Sequence, residues 1–187
     1  IQVLPQSGLA AYARYQVGRI VLQLGDPQTA ITTFEALMKD ADAGFMDDAR
    51  LALALAYVSQ RQDAPARAQL EAIRNQRAGT PTAARAGYYL ALLALGDEDE
   101  AGAERLCRET IAGAPKTEEA VDARLLLADL LARRTSVRDA MGVLQGAYRL
   151  AGLPARYRAK LAKRLADFAR EADSLAEAIW WYDEAAT

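Results

Sequence analysis

The sequence contains no histidine, one cysteine and one asparagine in 187 residues. Without histidine the chain lacks the commonest general base and the commonest metal ligand. A lone Cys107 excludes an intrachain disulfide framework. It fits a reducing compartment, and equally an envelope protein that needs no bridges. Runs of β-branched residues are few and Asn-Gly turns are missing, which argues against strands and hairpins. No apolar run reaches the roughly 18–20 residues needed to cross a bilayer. The net charge of −2 carries no bulk signal for nucleic acid or membrane.

What is abundant is Ala, Leu, Arg and Glu, a composition that favours helix. The clearest unit is Gln16–Met38. Val17, Val21 and Leu24 recur at the helical spacing of three and four residues, with Gly18 beside them. Gly25 ends that first helix, Asp26 is the expected N-cap of the next, and Pro27 its first residue. Ala30, Phe34, Leu37 and Met38 form the apolar stripe of the second helix. Gly18 and Ala30 let the two helices approach, and Phe34 fills the space beside them. A unit of this size cannot bury its apolar face alone, so it calls for neighbours of its own kind.

The pattern recurs. Leu53, Ala54 and Tyr57 lead to a helix capped by Asp63 and carrying Ala66, Leu70 and Ile73. Tyr88, Tyr89 and Leu92 precede Gly96-Asp97, read as a repeat of the Gly25-Asp26 turn, and then Ala103, Leu106, Cys107 and Ile111. Leu127, Ala128 and Leu131 precede Ser136 and Asp139, a capping-box pattern, and Ala140, Leu144 and Ala147. Leu165, Ala166 and Phe168 precede Ser174 and Glu177, then Ala178, Tyr182 and Ala185. The positions equivalent to Gly18 read as Ala54, Tyr89, Ala128 and Ala166, about 35–39 residues apart, the period range of helix-pair solenoids. Tyr89 breaks the small-residue rule, with Ala86 or Gly87 as substitutes. Thr80 and Thr117 are the expected N-caps after the turn-rich connectors. The units expected are 11–46, 47–81, 82–120, 121–158 and 159–187, in a single solenoid over 1–187, with the first ten residues ending a preceding element. Starting without Met and stopping inside a second helix, the sequence reads as a fragment of a longer chain. The excess of Arg over Lys hints at a GC-rich bacterial genome.

These features resemble the tetratricopeptide repeat (TPR) family, most closely in VGRIVLQLGDPQTAITTFEAL and LADFAREADSLAEAIWWYDEAA. Each has a small residue in the first helix, a turn with Gly or Asp, an early Ala in the second helix and an aromatic four residues later. The chain departs from the family pattern where a large aromatic opens the first helix: Arg14, Arg50, Arg85 and Arg124 stand there. The family's connecting proline is clear only at Pro115. The long units with AR-rich first helices are similar to bacterial envelope repeat proteins, including outer-membrane-assembly lipoproteins. The resemblance implies an all-α, right-handed α-solenoid of about five antiparallel helix pairs whose first helices line a concave groove. It implies a non-enzymatic scaffold that assembles or anchors a multiprotein complex, with no cofactor and no metal.

The expected groove residues are Tyr12, Tyr15 and Arg19, then Leu51, Leu55 and Val58, then Leu90 and Leu93: an apolar middle with polar ends. Such surface suits a peptide, an amphipathic helix or a neighbouring subunit. The clamp of Lys, Arg and two Asn that some family members use for C-terminal carboxylates cannot be assembled from the single Asn75. A basic patch is expected from Arg133, Arg134, Arg156, Arg158, Lys160, Lys163, Arg164 and Arg170. It reads either as a solvated face paired with the acidic 97–122 segment or as a docking site for an acidic partner or anionic headgroups. Aromatics are not interleaved with these residues for base stacking, which disfavours nucleic acid. Trp180 and Trp181 are adjacent and point about 100° apart on a helix. One is expected to pack and the other to form an end interface with a further repeat or subunit. Cys107 reads as a buried packing residue and the Asp97–Glu100 cluster as a solvated helix start. Two other readings are a recruiting region of a larger enzyme, and an envelope protein contacting membrane or cell wall through its basic half. The expected location is the bacterial periplasm or cell envelope, with cytoplasm as the alternative.

Overall fold

The computed structural model describes residues 8–39 and 46–186. Among the described residues ten helices run in order: α1 Gly8–Gln23, α2 Pro27–Lys39, α3 Met46–Ser59, α4 Asp63–Gln76, α5 Pro81–Gly96, α6 Glu100–Gly113, α7 Glu118–Arg134, α8 Val137–Tyr148, α9 Ala155–Glu171 and α10 Leu175–Ala186. Among the described residues there is no strand. Helices pair in sequence, α1 with α2 through α9 with α10. The pairs fall into two compact units, the first ending at Ala78 and the second beginning at Gly79. The first holds two helix pairs and the second three. Helix α1 takes in Gly8–Ala10, which the sequence pattern had assigned to a preceding element; residues 1–7 lie outside the described part.

Local chemistry sets the helix boundaries. The Asp26 carboxylate accepts from Thr29 N at 3.1 Å, and Pro27 opens α2. The hydroxyls of Thr80, Thr117 and Ser136 accept from the backbone N–H of Ala83, Ala120 and Asp139. Each satisfies one of the free donors of a helix start. Asp63 is not a cap. It is the first residue inside α4, whose N-cap is Gln62 without a side-chain bond.

In four of the five pairs the turn between the helices places one residue at positive φ: Gly25 (+84), Arg61 (+56), Glu98 (+62) and Asp173 (+58); the turn from α7 to α8 has none, with Thr135 at φ −120. This corrects the register of the third pair. Gly96 ends α5, and the left-handed turn comes two residues later, at Glu98. Counting back the same seven residues that separate Gly25 from Gly18 gives Ala91, not Tyr89. Ala91 is fully buried, as are Ala54, Ala128 and Ala166, so the small-residue rule holds in every pair. Gly87 makes a second close approach, since a Cβ there would stand 2.3 Å from Thr110 Oγ1. A helix reading AGYYLALLALG is apolar on nearly every side, so its sequence does not show which face meets its partner.

Phe34, Leu37, Leu70 and Ile73 form the core of the first unit, and Leu144, Leu161, Leu165 and Phe168 that of the second. In the second unit, first helices also touch each other, α5 with α7 and α7 with α9, whereas second helices do not. The first helices are therefore the closely spaced layer.

Candidate interaction surface

The corrected register decides which side chains the first helices present. In the first unit Tyr12 and Arg19 are exposed, Tyr15, Leu55 and Val58 are half-buried, and Leu51 is buried. Tyr15 bridges Tyr12 and Phe34 with ring centroids 6.3 Å from each. The Arg19 guanidinium lies over the Tyr15 ring at 5.6 Å. Burial raises the Tyr15 phenol above its ordinary pKa, with Asp48 nearby adding to the effect.

Leu90 and Leu93, expected in the groove, are buried and belong to the core. They stand one residue before and two after Ala91, where Leu53 and Ala56 stand around Ala54, also buried. Leu51 is buried as well, so the continuous apolar middle is not open at these three positions. The positions of α5 equivalent to Tyr15 and Arg19 are Tyr88 and Leu92. Tyr88 and Tyr89 are half-buried and Leu92 is exposed. Their rings lie 5.9 Å apart. Burial raises the Tyr88 phenol, with the Asp122 charge adding to it. On α7 the matching positions hold half-buried Leu125 and Leu126.

Ion pairs between first helices flank these apolar residues. Arg85 Nε on α5 donates to Glu119 of α7 at 2.6 Å. Lys160 of α9 pairs with Asp122. Arg164 reaches Asp129 at 2.7 Å and Glu171 at 3.1 Å, with its guanidinium 3.8 Å above the Phe168 ring.

The expected basic patch is accordingly divided. Arg134 pairs with Glu104 at 2.5 Å, Arg133 with Glu100 at 3.6 Å and Arg170 with Asp167 at 4.0 Å. Arg156 donates to the Tyr157 hydroxyl at 2.9 Å and lies over its ring. Arg158 is half-buried, and Lys163 is exposed. Five of the eight cations thus face a carboxylate: Arg133 and Arg134 of α7 reach α6, Lys160 and Arg164 of α9 reach α7, and Arg170 pairs within α9.

The two tryptophan rings touch edge-on, 4.4 Å apart, but differ in burial. Trp181 is 6% exposed and packs edge-on against Tyr148 at 5.2 Å; Trp180 is 51% exposed. Cys107 is fully buried, and burial pushes its thiol up to about 12. Arg124 is buried without a carboxylate contact: it donates to the carbonyls of Pro115 at 2.8 Å and Ala120 at 3.3 Å. Burial lowers its pKa. Among the described residues no cluster of three or more Asp, Glu or Cys is placed to hold a metal ion, and no helix is long and apolar enough to cross a membrane.

No protein-family model matches the sequence, and no curated protein matches it in sequence. Solved structures do match in fold. The nearly identical TPR-like repeats of a Podosopora anserina protein described as a kinesin light chain align with a TM-score of 0.67 at 18% identity, over 96% of this chain and 94% of that one. BtubC (BKLC) from P. vanneervenii aligns with a TM-score of 0.73 at 14% identity, over 95% and 79%. MamA of Desulfovibrio magneticus RS-1 aligns with a TM-score of 0.62 at 15% identity, over 94% and 92%. At these identities the likeness is one of fold: the chain is an all-α solenoid of TPR-like helix pairs.

Proposed function

We propose that this TPR-like chain is a non-enzymatic interaction scaffold that helps assemble a protein complex. Its partner segment, a peptide or an amphipathic helix, lies across the first helices of the second compact unit. The observation that carries this reading is the row Tyr88, Tyr89, Leu92, Leu125 and Leu126, partly open to solvent and flanked by the Arg85–Glu119, Asp122–Lys160 and Asp129–Arg164 pairs. Apolar surface bordered by fixed charges suits a segment that buries one apolar face and meets ions along its edges. In the first unit Tyr12, Tyr15, Arg19, Leu55 and Val58 form a smaller face of the same kind.

A photo-crosslinking residue placed at Leu92 tests the reading against one placed at Ala101, an exposed residue of α6. Partner adducts are expected from Leu92 only, and a Tyr89→Ala change should remove them. Equal labelling from both positions would refute the assignment of the face.

A further inference from the structure

We infer that the second compact unit binds a small amphiphilic carboxylate, an anionic head on an aliphatic chain, in a cavity between two of its second helices. The site is separate from the first-helix face proposed above and does not depend on it.

Helices α6 and α8 both pack on α7 and do not touch each other. The gap between them is an open cavity of about 380 Å³, within the size range of small-ligand sites. Its walls are Ile111 of α6, Leu127 of α7, Val143 of α8 and Leu150 just beyond α8, all aliphatic. Its polar side chains are Arg108 and Arg124. Among the described residues no hydroxyl, amide, carboxylate or aromatic side chain lines it.

Arg124 is 7% exposed. Its Nη1 donates to the carbonyls of Pro115 and Ala120. The other edge of the guanidinium, Nε with Nη2, meets no acceptor among the described residues and is not sealed from solvent. That edge carries two parallel N–H groups, the fork that takes a carboxylate through two hydrogen bonds. Burial already disfavours the Arg124 charge, and a bound anion supplies the compensation that a buried cation calls for. Arg108 adds a second cation. Its carboxylate partner, Glu104, is shared with Arg134, so one acid serves two bases there.

The first unit holds a counterpart that supplies its own acid. A cavity among α2, α3 and α4 is lined by Arg50 and Leu53, three residues apart, as Arg124 and Leu127 are here. The residue after buried Phe34 is Glu35, which lines that cavity. The residue after buried Cys107, at the same place in its repeat, is Arg108. Where the first unit sets a carboxylate beside its arginine, the second sets another arginine and leaves the negative charge to a ligand.

The lining selects the chemistry. Two guanidiniums suit one anionic head. The aliphatic walls suit a hydrocarbon chain and offer no hydrogen bond to a sugar and no ring to stack on a base, so sugars and nucleotides do not fit.

Isothermal titration of the 187-residue chain with octanoate tests this. Saturable binding at one site per chain is expected. Octan-1-ol, the same chain without the charge, and acetate, the head without the chain, are each expected to bind at least about tenfold more weakly. Gly146 lines the cavity, and a Cβ built there meets nothing within 4 Å. Gly146→Phe is therefore expected to fill the cavity and abolish octanoate binding without lowering the unfolding midpoint. Arg108→Gln, at an exposed position, is expected to weaken octanoate about threefold or more and leave octan-1-ol unaffected; it carries the test if Gly146→Phe fails to fold. Octanoate heats that never saturate would overturn the inference, as would octan-1-ol binding as tightly as octanoate. So would wild-type affinity for octanoate in folded Gly146→Phe or in Arg108→Gln.

Discussion

A Cβ built on Gly18 would stand 2.6 Å from Cε1 of Phe34, closer than carbon atoms pack. Phe34 is fully buried, so its ring has no room to retreat. Gly18→Ala is therefore expected to destabilise the first unit by about 1–3 kcal/mol through overpacking, despite the better helix propensity of alanine. Gly142, inside α8, has nothing within 4 Å of its virtual Cβ. Gly142→Ala is expected to stabilise by about 0.5–1 kcal/mol. Urea titration of both variants checks the opposite signs.

Trp181 and Trp180 should respond differently to truncation. Trp181→Ala removes a buried ring packed on Tyr148 and is expected to cost about 3 kcal/mol. Trp180→Ala, at a half-exposed position, removes only an edge contact to the Trp181 ring and is expected to cost about 0.5–1.5 kcal/mol. Thermal unfolding reads the difference.

The Arg124 guanidinium ties α7 to the connector through the carbonyl of Pro115. Arg124→Ala removes a buried side chain together with its bond to the Pro115 carbonyl and is expected to cost about 1–3 kcal/mol. Limited proteolysis should then cut at Lys116 faster than in the wild type. An unchanged cutting rate would show that the connector is held by other contacts.

Alkaline stability follows from Tyr57 and Cys107. Burial, together with the hydrogen bond its hydroxyl donates to Glu35 at 2.5 Å, pushes the Tyr57 phenol up to about 12. Burial does the same to the Cys107 thiol. Both groups are neutral in the folded chain where their unfolded counterparts already ionise. The stability they contribute is fully present below the unfolded values, about 9 for the thiol and about 10 for the phenol, and is lost as pH rises through about 12. Unfolding midpoints are expected to fall from pH about 9 upward, and Cys107 to react with a thiol reagent only after unfolding. Rapid modification of the native protein would contradict this account.

The ion pairs between first helices are expected to add little. Lys160→Ala breaks a partly exposed pair with Asp122 and is expected to cost less than about 1 kcal/mol, diminishing in salt. Arg164→Ala should cost more and depend less on salt, because its guanidinium also covers the buried Phe168 ring. Unfolding of both variants at low and high ionic strength separates the two contributions.

The sequence alone determined the kind of object this is. Helical spacing, the caps at Asp26, Thr80, Thr117 and Ser136, the left-handed turn at Gly25, and Gly18 facing Phe34 depend on residues close along the chain. Each is governed by local backbone chemistry. The tertiary structure decided which faces close. Leu51, Leu90 and Leu93 went into the core while Leu92 stayed open, because a helix apolar on most of its circumference has no preferred face until a neighbour covers one. Four of the carboxylates that divide the basic patch lie roughly one repeat earlier in sequence, and only helix stacking brings them in: α7 on α6 for Arg133 and Arg134, α9 on α7 for Lys160 and Arg164. The burial of Trp181 and the exposure of Trp180 were likewise settled by packing: Tyr148, on the preceding second helix, meets one ring and leaves the other to solvent.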